Sequence, residues 1–170
     1  MNVKNNFIKC RDIYGVKFEV SIDKLSFRPS VYAIIFNDDK ILLSKQWDGY
    51  DFPGGEIKLG ETIEEALIRE VKEETGFEIK ASEIVACENS FFKYREKEMY
   101  VQSILIYYLG EISSGEMSLK FIAESEKHYI DMPEWISMKE VANIKFYNSV
   151  DSVKIIKKAF KIYNNNKQYE

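Results

Sequence analysis

Glu70, Glu73 and Glu74 are spaced so that a helix would bring three carboxylates together. At 3.6 residues per turn, Glu73 and Glu74 would lie about 60° and about 40° to either side of Glu70. The apolar residues of the same segment point in a similar direction, so the acids would lie on or beside the buried stripe of the helix. Like charges at these spacings repel, and carboxylates at a helix C-terminus oppose the helix dipole. A positively charged group is therefore expected beside them.

Hard oxygen donors in this number suit Mg²⁺ (or Mn²⁺), which prefers carboxylate and water ligands and often completes its shell with substrate phosphate. The solvent side of the same segment carries Glu65, Arg69 and Lys72, which is the usual ion pairing of an exposed helix. Glutamate-rich helices are also common as merely solvated surfaces. The loop before the helix favours the metal site over the solvated surface.

The loop and the helix share residues of fixed type at fixed spacing. In order, they are Gly55, five residues, Glu61, seven residues, Arg69-Glu70-Val71, one residue, Glu73-Glu74, one residue, and Gly76-Phe77. This pattern resembles the Nudix box at every specified position, and Pro53-Gly54 before it is also typical of that family. A pattern of this length is far more specific than a short glycine motif. The resemblance implies an α+β fold, a Nudix-type α/β/α sandwich with a mixed β-sheet.

The resemblance also implies that Glu70, Glu73 and Glu74 are catalytic residues that bind the metal. A backbone carbonyl of Gly54 or Gly55 is implied as a further ligand, because glycine lets the backbone approach a metal or phosphate closely. The implied chemistry is hydrolysis of a diphosphate linkage. The ion neutralises the diphosphate and lowers the pKa of a bound water, and a carboxylate removes the proton of that water.

Glu61 and Arg69 resemble the pair that orients the loop against the helix in this family, and Arg69 is counted with the catalytic residues. Family members take the general base either from the box or from a later loop. Glu124 and Glu126 precede Glu134-Trp135 at about the distance of that later acid, and Glu126 is the favoured candidate. The alternative is that both acids are solvated charges of a loop.

Aromatic faces and amide side chains commonly hold nucleobases. Trp47 and Tyr50 lie just before the glycine loop, and Asn148 lies where some nucleoside triphosphate pyrophosphatases of the family place a base-reading asparagine. We assign these three residues and Arg28 to substrate binding. The alternative for Trp47, Tyr147 and Trp135 is packing in the core or at its rim. The favoured activity is that of a nucleoside triphosphate pyrophosphatase, and the alternative is hydrolysis of ADP-ribose or of diadenosine polyphosphates.

Two other functions are compatible with a Nudix-like fold, because a fold by itself does not define chemistry. Isomerisation of isopentenyl diphosphate needs a cysteine near the site, and neither Cys10 nor Cys87 is obviously placed for this role. A non-catalytic domain that senses a nucleotide would be expected to have lost box carboxylates, whereas all three are present. Hydrolysis is therefore favoured over both.

Local patterns predict the elements that position these residues. Thr62-x-x-Glu65 is a capping box and Gly76 a C-terminal cap, which predicts a helix over 62–75. The predicted strands are a hairpin at 7–22, a second hairpin made of 31–37 and 40–46, and strands at 77–88, 99–110 and 134–136. The remaining predictions are a loop with at most a brief strand at 47–60, a mobile loop at 111–127, a basic helix at 149–163 and a frayed tail at 164–170.

The chain has 170 residues, of which 45% are hydrophobic and 14% aromatic, enough for a single core. We predict one Nudix hydrolase domain over 1–170, in which residues 1–27 form an N-terminal hairpin extension that either covers the sheet or makes a dimer contact. The net charge of −4 argues against a surface that holds a nucleic acid polymer. The expected partner is a small nucleotide-like diphosphate, bound by a monomer or a homodimer.

The first residues lack the apolar stretch of a signal peptide, and no run of residues approaches membrane-spanning length. Two cysteines indicate neither a disulfide framework nor a zinc site. We therefore expect a cytoplasmic protein that does not associate with membranes.

Overall fold

The computed structural model describes residues 6–94, 99–124 and 126–167. Within these ranges the strands are β1 (Phe7–Arg11), β2 (Lys17–Ser21), β3 (Leu25–Phe27), β4 (Ser30–Asn37), β5 (Lys40–Gln46), β6 (Gly49–Asp51), β7 (Gly54–Glu56), β8 (Phe77–Lys93), β9 (Tyr100–Gly115) and β10 (Ile130–Ser137). The α-helices are α1 (Ile63–Thr75) and α2 (Ser152–Lys167). Neither of these helices is long and apolar enough to cross a bilayer.

The strands form a mixed sheet in the order β10-β5-β4-β9-β8-β1-β2. The β4–β9 and β8–β1 pairs are parallel, and the other neighbours along this path are antiparallel. The short strands pair off this path, β3 with β9, β6 with β5 and β7 with β4. In the last of these pairs Val31 of β4 lies opposite Gly55 of β7. Pairing with a central strand therefore holds the glycine loop against the sheet.

The central strand β4 is apolar on both faces because a helix covers each face. Val31, Ala33 and Ile35 pack on the side of α1, whereas Ile34 and Phe36 pack on the side of α2. Successive side chains of a strand point to opposite faces, so an unbroken apolar run serves both cores. The helices complete these cores with Ala66, Leu67 and Val71 from α1 and with Ile155, Ile156 and Ala159 from α2. The predicted α/β/α sandwich is confirmed.

Local hydrogen bonds define both ends of α1, as predicted. The Thr62 hydroxyl accepts the backbone N–H of Glu65, and the Glu65 carboxylate accepts the backbone N–H of Thr62 at 2.8 Å. At the other end Gly76 adopts a φ of 80° and donates its N–H to the carbonyl of Lys72. This left-handed conformation costs glycine little. The start and stop of the helix are thus defined by sequence, and with them the position of its carboxylates.

Three segments differ from the expectations. The segment 47–60 contains two brief strands, β6 and β7. β8 and β9 pair from Phe77–Gly115 to Lys93–Tyr100, so residues 111–115 belong to a strand and not to a mobile loop. Pairing with a neighbouring strand outweighs the low strand propensity of Gly and Ser. The helix α2 continues to Lys167, so the tail predicted to fray from 164 is helical that far, and residues 168–170 lie outside the described part.

The predicted N-terminal hairpin is present. β1 and β2 pair antiparallel from Phe7–Ser21 to Arg11–Lys17. β1 joins the main sheet through a parallel pairing in which Arg11 lies opposite Phe92 of β8. Residues 1–5 lie outside the described part. The hairpin therefore extends the sheet at one edge.

Candidate active site

A cleft of about 430 Å³ is lined by the glycine loop, α1, β8 and the segment before α2. Eight of the twelve residues that the sequence assigns to the site line it, namely Arg28, Trp47, Gly54, Gly55, Glu70, Glu74, Glu126 and Asn148. Within the described chain the other four, Tyr50, Glu61, Arg69 and Glu73, do not contribute to the lining. The fold thus brings together residues that lie far apart in sequence.

Glu74 is the most buried acid of the cleft. The residue is 7% exposed, and its Oε2 accepts hydrogen bonds from Ser44 Oγ at 2.6 Å and from the backbone N–H of Gly54 at 3.3 Å. Burial disfavours the charged form and raises the pKa of Glu74 well above its ordinary value, although the Ser44 hydrogen bond opposes the shift. Among the described residues no lysine or arginine forms an ion pair with this carboxyl. A cation in the cleft would therefore stabilise its charged form.

The glycine loop lies directly against Glu70. A Cβ added to Gly55 would lie 2.7 Å from Glu70 Cδ, closer than real side chains approach. Gly54 adopts a φ of 148°, and a Cβ there would lie 2.7 Å from the Cα of Tyr32. Burial raises the pKa of Glu70, while the neighbouring Arg69 lowers it. Two glycines are thus needed for the loop backbone to reach both the sheet and this carboxyl.

Arg69 connects the glycine loop to α1. Its Nε and Nη2 donate to the two carboxylate oxygens of Glu61 at 2.6 and 2.9 Å, and Nη2 also donates to the carbonyl of Glu56 at 3.0 Å. Its Nη1 lies 2.7 Å from Glu70 and 3.4 Å from Glu73. The hydrogen bond from Arg69 lowers the pKa of Glu61 to about 2. One guanidinium therefore positions three carboxylates, including Glu73, which lies beside the cleft.

Arg69→Lys is expected to lower kcat/KM for diphosphate hydrolysis by about tenfold. Lysine keeps the charge but lacks the planar fork that holds Glu61 while also reaching Glu70, and small displacements of catalytic groups are costly. Initial rates with Mg²⁺ measure the effect. The matched control is Lys72→Arg, which changes an outward-facing residue of the same helix that pairs with Glu78 at 2.7 Å. Equal rates for Arg69→Lys and the wild type would show that the fork is dispensable.

The donors of the cleft fit a hard divalent cation. Glu70, Glu74 and Glu126 line the cleft with carboxyl side chains, and Gly54 and Gly55 line it beside them. Mg²⁺ is usually held by one or two carboxylates, waters and substrate phosphate and not by an all-protein cage. Among the described residues no group of three acidic, histidine or cysteine side chains is arranged to hold a metal ion, so the grouping of Glu70, Glu73 and Glu74 expected from the sequence is not seen. The carboxyls that line the cleft could hold an ion only with further ligands, such as water and substrate phosphate.

Of the two later acids, Glu126 reaches the cleft and Glu124 does not. Glu126 lines the cleft, and its Oε1 accepts a hydrogen bond from Tyr129 Oη at 3.2 Å. Glu124 forms an ion pair with Lys127 and is exposed. The backbone N–H of Tyr129 also donates to the carbonyl of Glu126, which closes a turn. Glu126 thus begins a turn and lines the cleft, whereas Glu124, which precedes that turn, lies in solvent.

Asp51 is a cleft residue that was not among those predicted from the sequence. Its Oδ1 accepts the backbone N–H of Phe52 at 2.8 Å and Nδ2 of Asn148 at 2.9 Å. Burial raises the pKa of Asp51 to about 6, against the effect of these hydrogen bonds. The Asn148 side-chain oxygen accepts from Ser152 Oγ at 3.1 Å. An acid between two aromatic residues, two positions before Pro53-Gly54, is the sequence signal that could have identified it.

The aromatic residues assigned to the substrate have different surroundings. Trp47 lines the cleft and stacks on Tyr129, with ring centroids 5.0 Å apart and planes at 23°. Tyr147 packs edge-on against Trp47, also with centroids 5.0 Å apart. Tyr50 donates its hydroxyl to Glu134 at 2.8 Å and packs against the core on the α2 side. Trp47 and Tyr147 thus line the cleft, Trp135 packs against the core on the α1 side, and Tyr50 is not among the lining residues.

Arg28 brings a fixed guanidinium to the cleft. Its Nη1 donates to Ser30 Oγ at 2.8 Å, and the guanidinium carbon lies 5.6 Å from the centre of the Tyr94 ring. Its Nε lies 3.3 Å from a Glu56 carboxylate oxygen but makes no hydrogen bond to any described residue, although it is buried. The Arg28 side chain is therefore held in place, and its Nε remains available to donate a further hydrogen bond.

The family model of the NUDIX domain matches residues 26–157. RNA pyrophosphohydrolases from Stutzerimonas stutzeri and Pseudomonas putida are each 39% identical to the chain over 85 residues, which is 48% of this chain and 54% of each relative. The chain belongs to the NUDIX family, and the resemblance of its loop and helix to the Nudix box is confirmed. It spans about half the length of the curated relatives it matches.

Solved structures share the fold. An ADP-ribose pyrophosphatase from Streptococcus suis superimposes with a TM-score of 0.58 at 22% identity, over 80% of this chain and 91% of that one. A NUDIX hydrolase from Nitrosomonas europaea superimposes with a TM-score of 0.60 at 20% identity, over 81% of this chain and 90% of that one. At these identities the likeness establishes the fold alone.

Proposed function

We propose that this chain is a metal-dependent pyrophosphohydrolase that cleaves a diphosphate linkage in a nucleoside triphosphate, with Mg²⁺ (or Mn²⁺) as the ion. The observation that carries the proposal is the pair Glu70 and Glu74 in one cleft. Burial raises the pKa of both, and Glu74 has no ion-pair partner among the described residues. Two such carboxyls are stabilised in the charged form when a cation binds beside them.

In the proposed mechanism Glu70, Glu74 and a carbonyl of Gly54 or Gly55 would hold the ion. Glu73, the third carboxylate expected from the sequence, does not line the cleft and lies 3.4 Å from Arg69, so it is not assigned to the ion. When bound, the ion neutralises the diphosphate and lowers the pKa of a water. The Ser44 hydroxyl holds the Glu74 carboxyl at 2.6 Å, so that this ligand needs no rearrangement. Such preorganisation of charged groups is the main source of rate in phosphoryl transfer.

Glu126 is proposed as the general base that takes the proton of the attacking water. The Tyr129 hydroxyl, 3.2 Å from Glu126 Oε1, orients this carboxylate. Burial raises the pKa of Tyr129, so the phenol keeps its proton and remains a hydrogen-bond donor. The tyrosine is thus a positioning residue for the base.

Substrate recognition is proposed to use the other residues of the cleft. Trp47 offers an aromatic face, Asn148 an amide coupled to Asp51, and Arg28 a cation for phosphate. The isomerase alternative needs a cysteine at the site. Of the two free cysteines, both described, neither lines the cleft. Hydrolysis remains the better supported reaction.

A second candidate substrate is the triphosphate at the 5′ end of an RNA. The observation that favours it is the 39% identity to RNA pyrophosphohydrolases over 85 residues. The net charge of −4 speaks against extended contacts with an RNA backbone. A nucleoside triphosphate and a 5′-triphosphorylated RNA both present a triphosphate to the cleft. The same assay can therefore be used for both, and their relative rates separate the two candidates.

Release of pyrophosphate and phosphate should be measured with Mg²⁺ and with chelator for nucleoside triphosphates, ADP-ribose, diadenosine tetraphosphate and a short 5′-triphosphorylated RNA. We expect the fastest turnover with a nucleoside triphosphate, giving the monophosphate and pyrophosphate, and a background rate with chelator. Turnover that survives the chelator would contradict metal dependence. Binding without turnover of any compound would indicate the nucleotide-sensing alternative, and a preference for RNA would indicate the second candidate.

A further inference from the structure

The turn between β1 and β2 forms part of the cleft wall. Arg11, Asp12 and Ile13 line the same cleft as Glu70 and Glu74. These three residues precede the part of the chain that matches the NUDIX domain, which begins at residue 26. The hairpin therefore adds to the site a wall that lies outside the family match.

The fold holds this turn in a defined position. Arg11 lies opposite Phe92 in the parallel pairing of β1 with β8, and Phe92 itself lines the cleft. Asp12 Oδ1 accepts the backbone N–H groups of Tyr14 and Val16, each at 2.9 Å. Aspartate bonds of this kind stabilise turns. The Asp12 carboxylate is thus committed to the turn, and Arg11 is placed by strand pairing.

Arg11 is a cation of the cleft wall that forms no ion pair within the described residues. Its Nε donates to the backbone carbonyl of Asp12 at 3.4 Å, a long hydrogen bond. Arg28, by contrast, forms an ion pair with Glu56 at 3.3 Å, although its Nε makes no hydrogen bond to a described residue. A guanidinium carries five N–H donors in a planar fork that matches phosphate oxygens. Arg11 therefore has donors available to bind an anionic group in the cleft.

We propose that Arg11 binds a phosphate group of the substrate beyond the two phosphates joined by the scissile linkage, so that the hairpin selects triphosphates over diphosphate derivatives. This inference rests on the proposed function of the same site. The two phosphates of the scissile linkage are neutralised by the ion that Glu70 and Glu74 hold. A third phosphate adds charge that Arg11 can meet from the hairpin side of the cleft, which Arg28 and Lys93 also line. A diphosphate derivative has no such group.

The test is calorimetric titration of inorganic tripolyphosphate and of pyrophosphate into the full chain, with Ca²⁺ in place of Mg²⁺. Arg11→Ala is expected to weaken tripolyphosphate binding by about tenfold or more, the usual effect of losing a charged hydrogen bond, and to change pyrophosphate binding little. The control is Lys17→Ala, since Lys17 lies opposite Arg11 on β2, is exposed and is absent from the cleft lining. It removes the same charge and should leave both affinities unchanged.

Any result other than a selective loss of tripolyphosphate binding contradicts the proposal that Arg11 binds a third phosphate. An equal loss for both phosphates would place Arg11 on the scissile diphosphate, and no loss would make the hairpin purely structural. If the wild type did not bind tripolyphosphate, a third-phosphate site at Arg11 would also be excluded. Thermal unfolding checks each variant, and Arg11→Gln decides if Arg11→Ala does not fold. Selective loss of tripolyphosphate binding in a chain that hydrolyses nothing would refute the proposed function and leave the Arg11 site standing.

Discussion

Glu70→Gln is expected to lower kcat for diphosphate hydrolysis by about 10³-fold without a comparable effect on folding. Glu70 lies against Gly55 in the cleft wall, where a charged ligand reaches both the ion and the loop backbone. Glutamine has nearly the same shape but is neutral, so the ion loses a charged ligand. Arg69 keeps its two hydrogen bonds to Glu61, and these hold the loop to α1. The loss should therefore be one of chemistry.

The measurement is kcat at saturating Mg²⁺ and substrate, with Mn²⁺ affinity determined by electron paramagnetic resonance on the same samples. Weaker Mn²⁺ binding should accompany the loss of rate. The control is Glu64→Gln, an exposed glutamate of the same helix, which should keep the wild-type kcat. If Glu70→Gln retained wild-type Mn²⁺ affinity and lost less than about tenfold in rate, Glu70 would not be a metal ligand.

Glu74→Gln is expected to remove most hydrolysis and, in the same protein, to stabilise the metal-free fold. The variant would lose a proposed charged ligand of the ion, so a loss of about 10²- to 10³-fold in kcat is expected. The wild type must keep a buried carboxyl, 7% exposed, that is costly to ionise without a cation. Glutamine has no charge to bury and can still accept the hydrogen bond from Ser44. Activity and metal-free stability should therefore change in opposite directions.

The stability that Glu74→Gln gains over the wild type in the metal-free protein should depend on pH. The pKa of Glu74 in the folded state lies above its ordinary value of 4.5, so its contribution to stability is complete below that pH and is lost as pH rises through the folded-state pKa. Asp51, with a pKa raised to about 6, acts in the same direction. Glu61, with a pKa lowered to about 2, contributes stability that is lost only under more acidic conditions. The metal-free wild type should therefore lose stability as pH rises above about 5 through the folded-state pKa values of these two groups, which is about 6 for Asp51.

Thermal unfolding of metal-free wild type and Glu74→Gln across this pH range tests the prediction. At pH 8 the variant should unfold at a higher Tm than the wild type, and every ~1 kcal/mol gained would raise the Tm by about 2–4 °C for a chain of this length. Its pH profile should be flatter, with a residual slope due to Asp51. Mg²⁺ should raise the Tm of the wild type more than that of the variant. A lower metal-free Tm for Glu74→Gln at pH 8 would show that its carboxylate is stabilised by the protein alone.

Much of the metal-binding part of the site was predictable because the interactions that build it are local. The Thr62–Glu65 capping box and Gly76 set the ends of α1 through hydrogen bonds within a few residues. The spacing of Glu70 and Glu74 then places both carboxyls on the same side of the helix. The apolar run of β4 likewise indicates a strand covered on both faces, because strand periodicity is a property of the backbone.

The rest of the cleft was not predictable from such patterns. The hydrogen bond from Asn148 to Asp51 joins residues 97 positions apart, and Arg11 meets Phe92 only through the pairing of two distant strands. The choice of Glu126 over Glu124 depends on a turn that directs one side chain inward. No helical or strand period relates these positions to one another.

The sequence by itself therefore determined the helix, its carboxylates and the family to which they belong, because caps and periodicity act over one or two turns of backbone. The tertiary structure alone decided which further residues face those carboxylates. Sheet order brings the N-terminal hairpin beside β8, and packing of the segment before α2 brings Asn148 to Asp51. Such contacts depend on how whole elements pack, so they become visible only when the elements are assembled around a shared core.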